Sequence, residues 1–365
     1  MSVPKFNKDE LDFIGLWPWV SSEYGTFYGV RIEDMGGLPK QNYPITPREN
    51  FERFRKGEGM YWVPALWSPL EFNWIFPYVN PDCVAWSYDG GIDSFGVEWV
   101  PVEGKILPAI VKPGNPFLKD VTEWREVVKF PDVDSWNWEE SGKAYQALND
   151  HERARVGVIP TAFFERFIDL MEFEEAAMSL VAEPEESAAL MEALADYNIS
   201  IIEHYKKYYD IDIVQIHDDW GSQRAPFFSK NTLRTVIAPA YSRMVKRAHE
   251  LGIFVITHCC GCCEDLIDDM IETGTDLWQL QENANPHIRE LIPLYAGKFR
   301  FDYTEGMPAG LDMEASKDWL RDRVKKVGGI GNCCMEIGGP NDTELDPELA
   351  CYLYEMGRKV CSGEI

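Results

Sequence analysis

The sequence predicts an α/β protein built on a (β/α)₈ TIM barrel with an N-terminal aromatic-rich extension and insertion. Three observations predict it. From residue 155 onward, short apolar runs alternate with amphipathic helical stretches, the pattern of a parallel sheet with crossover helices. Counting the earlier run Met60–Leu66, the strands number about eight, which fits a closed barrel. Their C-terminal ends carry polar residues, where barrels keep their active sites, and none leads into the glycine-rich phosphate turn of an open doubly wound sheet. The 365 residues fit a single domain of this class, residues 1–150 holding the N-terminal extension, first strand and insertion, and 151–365 the main barrel.

The elements follow in order. Thr46, Pro47 and Glu49 make a capped helix start, and the helix carries Phe51 and Phe54 before stopping near Gly57. Met60–Leu66 reads as the first strand. Residues 67–104, rich in Trp, Pro, Gly and Asp, read as an insertion with a hairpin through Phe95–Trp99. Residues 114–150 read as a surface helix and linker. In the main barrel Val156–Thr161 is a strand, 162–181 a helix, and Pro184 opens another helix that runs to about Tyr208. Ile211–Ile216 is the next strand, ending in His217-Asp218-Asp219-Trp220-Gly221. Ser229 caps a long helix with an apolar face of Leu233, Val236, Ile237, Ala240, Tyr241 and Met244, in which Pro239 predicts a kink. Strand Ile253–Cys260, helix Leu266–Glu272, and strands Asp276–Gln281, Phe299–Tyr303 and Val327–Cys334 complete the set.

Composition narrows the function. The 35 basic against 61 acidic side chains, a formal charge of -26, argue against nucleic acid as a partner, since phosphate binding needs clustered Lys and Arg. The same charge argues against an anionic membrane, and no run reaches the length of a membrane span. A cytoplasmic location is expected. The nine cysteines are odd in number and partly in adjacent pairs, which suits metal binding or reduced thiols better than a disulfide framework.

The densest chemistry is Val255-Ile256-Thr257-His258-Cys259-Cys260-Gly261-Cys262-Cys263. Side chains alternate along a strand, so His258 and Cys260 share one face and Cys259 points away. An imidazole and a thiolate two residues apart at a strand end can both reach one zinc ion. A third ligand is needed, and Cys334, or Cys333 if the register slips by one, is placed by the strand reading at the same barrel mouth. The set His258, Cys260 and Cys334 leaves one position open, the catalytic pattern of zinc, with Asp219, Glu282 or Glu336 able to fill it at rest. A lone His-x-Cys is more often core than ligand, because free cysteine packs as a small hydrophobe; the second cysteine cluster tips the balance towards metal. Asp219 is the candidate catalytic carboxylate, and Asp218, Gln279 and Asp302 at strand ends are candidate substrate contacts.

These residues also carry a resemblance. Asp218-Asp219-Trp220-Gly221-Ser222-Gln223 with Pro226-Phe227-Phe228-Ser229, and Ala248-His249-Glu250-Leu251-Gly252 leading into His258-x-Cys260-Gly261, resemble the uroporphyrinogen decarboxylase superfamily. The similarity continues through Leu266 to Gly274 and Asp276, and through Thr46 to Asn50. The arginine-rich loop by which the decarboxylases bind an acidic tetrapyrrole is absent; after Val63 the chain reads Pro64-Ala65-Leu66-Trp67-Ser68-Pro69. The resemblance therefore points to the cobalamin-dependent methyltransferase branch, whose zinc is held by His-x-Cys and a distant Cys. It implies a zinc enzyme that moves a methyl group between a small methylated substrate (ether, amine or thiol) or thiol acceptor and a corrinoid (methylcobalamin or cob(I)alamin) carried by a corrinoid-binding partner protein. The N-terminal aromatics Trp62, Trp67, Trp74, Phe76, Trp86 and Trp99 are candidates to line its pocket, or equally to pack the core. A metal-free decarboxylase and a non-catalytic zinc-binding barrel are the alternatives.

Overall fold

The computed structural model describes residues 3–17, 38–66, 68, 70–75, 79–105, 108–146, 150–340 and 345–365. Phe13–Trp17 (β1) and Leu38–Gln41 (β2) form an antiparallel pair. The helix Pro47–Lys56 begins with the expected capping box between Thr46 and Glu49 and ends at Gly57 in the left-handed conformation. Phe72–Ile75 (β3) is followed by a small antiparallel sheet of Gly91–Ile92 (β4), Glu98–Val100 (β5) and Ile110–Val111 (β6), which contains the expected hairpin. The main strands are Ala154–Ile159 (β7), Ile213–His217 (β8), Phe254–Cys259 (β9), Leu277–Leu280 (β10), Arg300–Gly306 (β11) and Cys333–Gly338 (β12). With β3 they make one seven-stranded parallel sheet in which sequence neighbours are spatial neighbours. Helices flank this curled wall, giving an α/β fold of TIM-barrel type.

The first strand is not where the sequence places it. Met60–Leu66 is irregular, and β3, inside the stretch read as insertion, takes its role in the sheet. The segment still lies at the seam: Met335 N on β12 donates to Pro64 O at 2.8 Å, and Trp74 Nε1 on β3 donates to Leu66 O at 3.0 Å. Pro64 has no N–H, so the stretch accepts from its neighbour without continuing a ladder. The last strand is also displaced. Residues 328–330 form a 3₁₀ turn, Gly331 turns with φ 83°, and β12 starts only at Cys333. The buried Asn332 pins this start by donating to Ile292 O and Phe299 O. Cys333 and Cys334 therefore open the strand instead of ending it.

Two helical expectations are refined. The stretch 162–181 divides into Phe164–Met171 and Phe173–Ala182 at Glu172, whose φ is 66° and whose carboxylate accepts from Gly114 N. The long helix after Ser229 contains a π-helical stretch, Leu233–Ile237, just before Pro239, which lacks the N–H that an α-turn would need.

The insertion is fastened to the barrel by a buried charge cluster. Asp93 accepts from Phe95 N, Val97 N and Trp99 Nε1, which fixes the hairpin turn, and also from Arg166. Asp82 accepts from Ser94 N and from Tyr197 Oη. Arg166, 1% exposed, lies within ion-pair distance of Asp82, Asp93 and Asp169. Arg166→Met should cost about 3–5 kcal/mol in urea unfolding, since it strands buried carboxylates without their cation; a loss below about 1 kcal/mol, the scale of an exposed pair, would show that the cluster is not an anchor.

A second buried carboxyl sits near the seam. Glu71 accepts from Trp62 Nε1 at 2.9 Å and Ala65 N at 3.4 Å, and burial pushes its pKa from 4.5 up to about 8. The native state thus keeps a proton that the unfolded chain releases near 4.5, so this group's contribution to stability is full below that pH and falls as pH rises towards 8. The stability difference between wild type and Glu71→Gln, followed by denaturation from pH 4.5 to 8, should decline across the window; a flat difference would contradict the assignment.

Candidate metal centre

Four adjacent strands align the site. In the parallel register His217 lies beside His258, His258 beside Gln279, and Gln279 beside Asp302. The two imidazoles stack with centroids 4.3 Å apart and planes at 15°. The Nδ1 of each is engaged: His217 Nδ1 is 2.6 Å from Glu165 Oε2, and His258 Nδ1 is 2.9 Å from Gln279 Oε1. Gln279 Oε1 also accepts from Gln215 Nε2, and Gln279 Nε2 donates to Asp302 Oδ2 at 2.9 Å, so this amide oxygen faces donors only. His258 consequently carries its proton on Nδ1 and leaves the Nε2 lone pair for the mouth. Burial, then His217, lowers the His258 pKa to about 4, keeping the ring neutral.

Cys260 Sγ lies 3.2 Å from His258 Nε2. Asp219 Oδ1 accepts from Cys260 N at 2.7 Å and lies 3.9 Å from His258 Nε2. Ligand atoms of His217, Asp219 and His258 all fall within 4.8 Å of one another. Burial, with Asp219 and Glu165 nearby, pushes the Cys260 thiol up, so a bare thiolate is disfavoured and a cation would be needed to hold one. Burial also raises Glu165, helped by Asp219 and Asp218. Two imidazoles, a thiol and a carboxylate converging here are donors that suit zinc better than magnesium or calcium.

The turn after β9 is shaped by contact between two glycines. Gly261 has φ 85°, and a Cβ on it would stand 2.0 Å from Gly221 O in the loop after β8. Cys262 N donates to Ser222 O at 2.7 Å, and the buried Asn285 side chain donates to Gly261 O and accepts from Cys263 N. Cys259 points away, as strand alternation requires; its Sγ accepts from Trp220 N and donates to Cys263 Sγ at 3.5 Å inside the core.

Residues 91–297, more than half of the chain, match the uroporphyrinogen decarboxylase (URO-D) family. The chain belongs to that family. Among solved structures its fold is similar to a methyltransferase from Methanosarcina mazei, with a TM-score of 0.57 and 14% identity over 88% of this chain and 99% of that one. Weaker likenesses include an endo-beta-1,4-xylanase from Gloeophyllum trabeum (TM-score 0.39, 12% identity, 61% of this chain and 81% of that one). Another is a type I 3-dehydroquinate dehydratase from Clostridium difficile (TM-score 0.32, 14% identity, 60% and 74%). No curated protein matches the sequence.

In this uroporphyrinogen decarboxylase-type barrel the expected site residues separate. His258, Cys260 and Asp219 come together. Gln279 and Asp302, expected as substrate contacts, line up behind His258, with Gln279 against its Nδ1 and Asp302 backing Gln279. Asp218, also expected to contact substrate, is fully buried: Oδ1 accepts from Phe163 N and Glu165 N, and Oδ2 from Trp220 Nε1. It holds the start of the helix Phe164–Met171. Cys334 is in register with Asp302, three strands round from His258, or about 14 Å along the wall. The ionisable groups that act on it are Asp302, Cys333, Glu71 and Arg300, none of them in the centre. Cys333 bends back to its own strand, Sγ to Cys334 O at 2.9 Å. Neither cysteine lies beside His258, because the register puts Cys334 three strands away.

His217 and Glu165 lie outside the expected set, and Trp86, one of the aromatics expected to line the pocket or pack the core, reaches His217. One signal for His217 was present: β8 and β9 end alike, His217-x-Asp219 beside His258-x-Cys260. Glu165 comes from the helix after β7, and Trp86 from the insertion, its ring edge-on to His217 at 5.2 Å; no local spacing marks either. Of the other aromatics, Trp62 stacks on Tyr43 and Trp99 is tied to Asp93, both away from the centre, and Trp67 and Phe76 lie outside the described residues. His249 pairs with Asp276 at the surface. Gly261→Ala should lower stability by about 2–5 kcal/mol, combining left-handed strain with a backbone clash. Gly252→Ala, at φ 76° with nothing within 4 Å, should cost only about 1 kcal/mol; equal losses in thermal unfolding would show that the glycine contact is unimportant.

Proposed function

We propose that this protein is a zinc-dependent methyltransferase that moves a methyl group between a small methylated substrate (an ether, amine or thiol) and the corrinoid of a partner protein. The observation that carries the reading is the His258 Nε2 to Cys260 Sγ approach of 3.2 Å at the C-terminal mouth of the barrel. The fold shared with the Methanosarcina mazei methyltransferase supports the same reading. When bound, zinc supplies Lewis acidity that keeps a sulfur, oxygen or nitrogen centre anionic at neutral pH.

The chain's own residues do the positioning. Gln279, backed by Asp302, holds the His258 ring by its Nδ1. Asp219 anchors Cys260 through its N–H and presents a half-exposed carboxylate to the mouth. The Glu165–His217 pair forms the other side, the carboxyl holding the His217 ring by its Nδ1. Trp86 gives the pocket an apolar wall against His217. A decarboxylase of polyanionic tetrapyrroles is less well suited, since Asp219 and Glu165 face the mouth and Arg289 is tied to Glu282 and Glu305.

Purified protein should carry about one zinc per chain, as one three- or four-ligand site demands. It should transfer methyl groups from a panel of methoxylated aromatics, methylamines or methyl thioethers to cob(I)alamin, read as the methylcobalamin absorbance. The His258→Ala/Cys260→Ala double variant should lose both zinc and transfer. Retention of full metal and full transfer in that variant would refute the proposal.

A further inference from the structure

We infer that the metal in this chain is held by a single thiolate, with His217 and Asp219 taking the place that a distant second cysteine has in the zinc site expected from the family resemblance. The inference rests on the zinc reading above and assigns the ligand set His217, His258, Cys260 and Asp219.

Four observations lead to it. First, His217, Asp219 and His258 lie within 4.8 Å of one another and Cys260 lies against His258, so a modest closure brings the four donors to the spacing a zinc ion imposes. Bonds of about 2.0 Å to nitrogen or oxygen and 2.3 Å to sulfur put tetrahedral partners roughly 3.3–3.6 Å apart. Here His258 Nε2 lies 3.2 Å from Cys260 Sγ and 3.9 Å from Asp219 Oδ1, and His217 belongs to the group within 4.8 Å. Second, both imidazoles are oriented in the way that metal-ligating histidines are. Each has an oxygen on Nδ1, Glu165 for His217 and Gln279 for His258, which turns Nε2 towards the centre and strengthens it as a ligand. A histidine serving only to pack would not need a buried carboxylate 2.6 Å from its ring. Third, His217 and Asp219 have the same strand-end positions on β8 that His258 and Cys260 have on β9, with His217 and His258 in register. The pair of loops is locked by the Gly221–Gly261 contact, which sets the two His-x-donor motifs against each other. Fourth, Cys334 is displaced by three strands and opens β12 next to Asp302 and Glu71. Bringing its sulfur to the centre would require moving a strand start that Asn332 pins from two carbonyls.

The chemical consequence is a centre less rich in sulfur. One thiolate and one carboxylate give the ligand set a charge of -2, as two thiolates do. Exchanging a sulfur for imidazole and carboxylate makes the ion harder, and a substrate oxygen or nitrogen would reach it by displacing the Asp219 carboxylate, the ligand that fills the fourth position at rest, or as a fifth ligand. This favours a methyl ether or methylamine over a thioether as the methylated substrate.

X-ray absorption at the zinc edge of the full-length zinc-loaded protein reads the ligand set directly. One sulfur at about 2.3 Å with the remaining ligands nitrogen or oxygen at about 2.0–2.1 Å is expected. Two sulfurs would overturn the inference while leaving the methyltransferase proposal standing; absence of bound zinc would overturn both. Zinc affinity measured by competition with a chromophoric chelator adds a second readout. Cys334→Ala should keep its affinity within about 2-fold, whereas His217→Ala should lose at least 10-fold and Glu165→Gln roughly 10-fold, the range seen when a histidine's outer partner is removed. Loss of zinc in a folded Cys334→Ala protein, or unchanged affinity in a folded His217→Ala protein, would refute the assignment.

Discussion

The structure depends on one constraint, the parallel register that sets His217, His258, Gln279 and Asp302 side by side across four strands. Parallel pairing puts registered residues on the same face, so a row of polar side chains in an otherwise apolar wall has nowhere to turn but the barrel interior. Buried polar groups must find partners. In this row they find each other: Asp302 takes Gln279, Gln279 takes His258, and His217, at the end of the row, takes Glu165 from outside the sheet. The proton position on the His258 ring follows from the strand pairing.

A second layer holds this row in place. The loops leaving β8 and β9 meet at Gly221 and Gly261, where neither position has room for a side chain. Asp218 ties the start of the helix that carries Glu165 back to β8, and Asn285 ties the cysteine turn to the loop after β10. Arg166, one residue beyond Glu165, carries the insertion with it through Asp82 and Asp93. Trp86 therefore reaches His217 on an arm anchored to the same helix that presents Glu165. Each donor in the centre is set by a buried interaction one contact further out, as a site with tight geometric tolerance requires.

Much of this was legible in the sequence, and the failures have physical causes. Alternation along β9 correctly separated His258 and Cys260 from Cys259, because side-chain period on a strand is a steric fact independent of tertiary context. Capping chemistry placed the helix at Thr46, and the alternation of apolar runs and helices gave the parallel sheet. Apolarity alone does not reveal backbone donors, so Met60–Leu66 read as a strand although Pro64 cannot continue a ladder. It also does not reveal where a glycine-rich stretch turns, so β12 begins at Cys333, later than apolarity places it, and Cys334 opens the strand. Asp218 and Asp219 are adjacent and chemically identical; only the packing of Phe163, Glu165 and Trp220 tells which is sealed and which faces the mouth. Glu165 comes from a segment far from the motif, and nothing short of the fold brings it there; among the candidate aromatics only the fold tells that Trp86 is the one against His217.

The claim that the mouth of this barrel is a metal centre built on His258 and Cys260 is tested most directly by anomalous diffraction. Crystals of the zinc-loaded protein, measured on both sides of the zinc absorption edge, should show one strong anomalous peak between His217, Asp219, His258 and Cys260. A peak beside Cys334 in place of this one, or no ordered zinc near His258, would contradict the account.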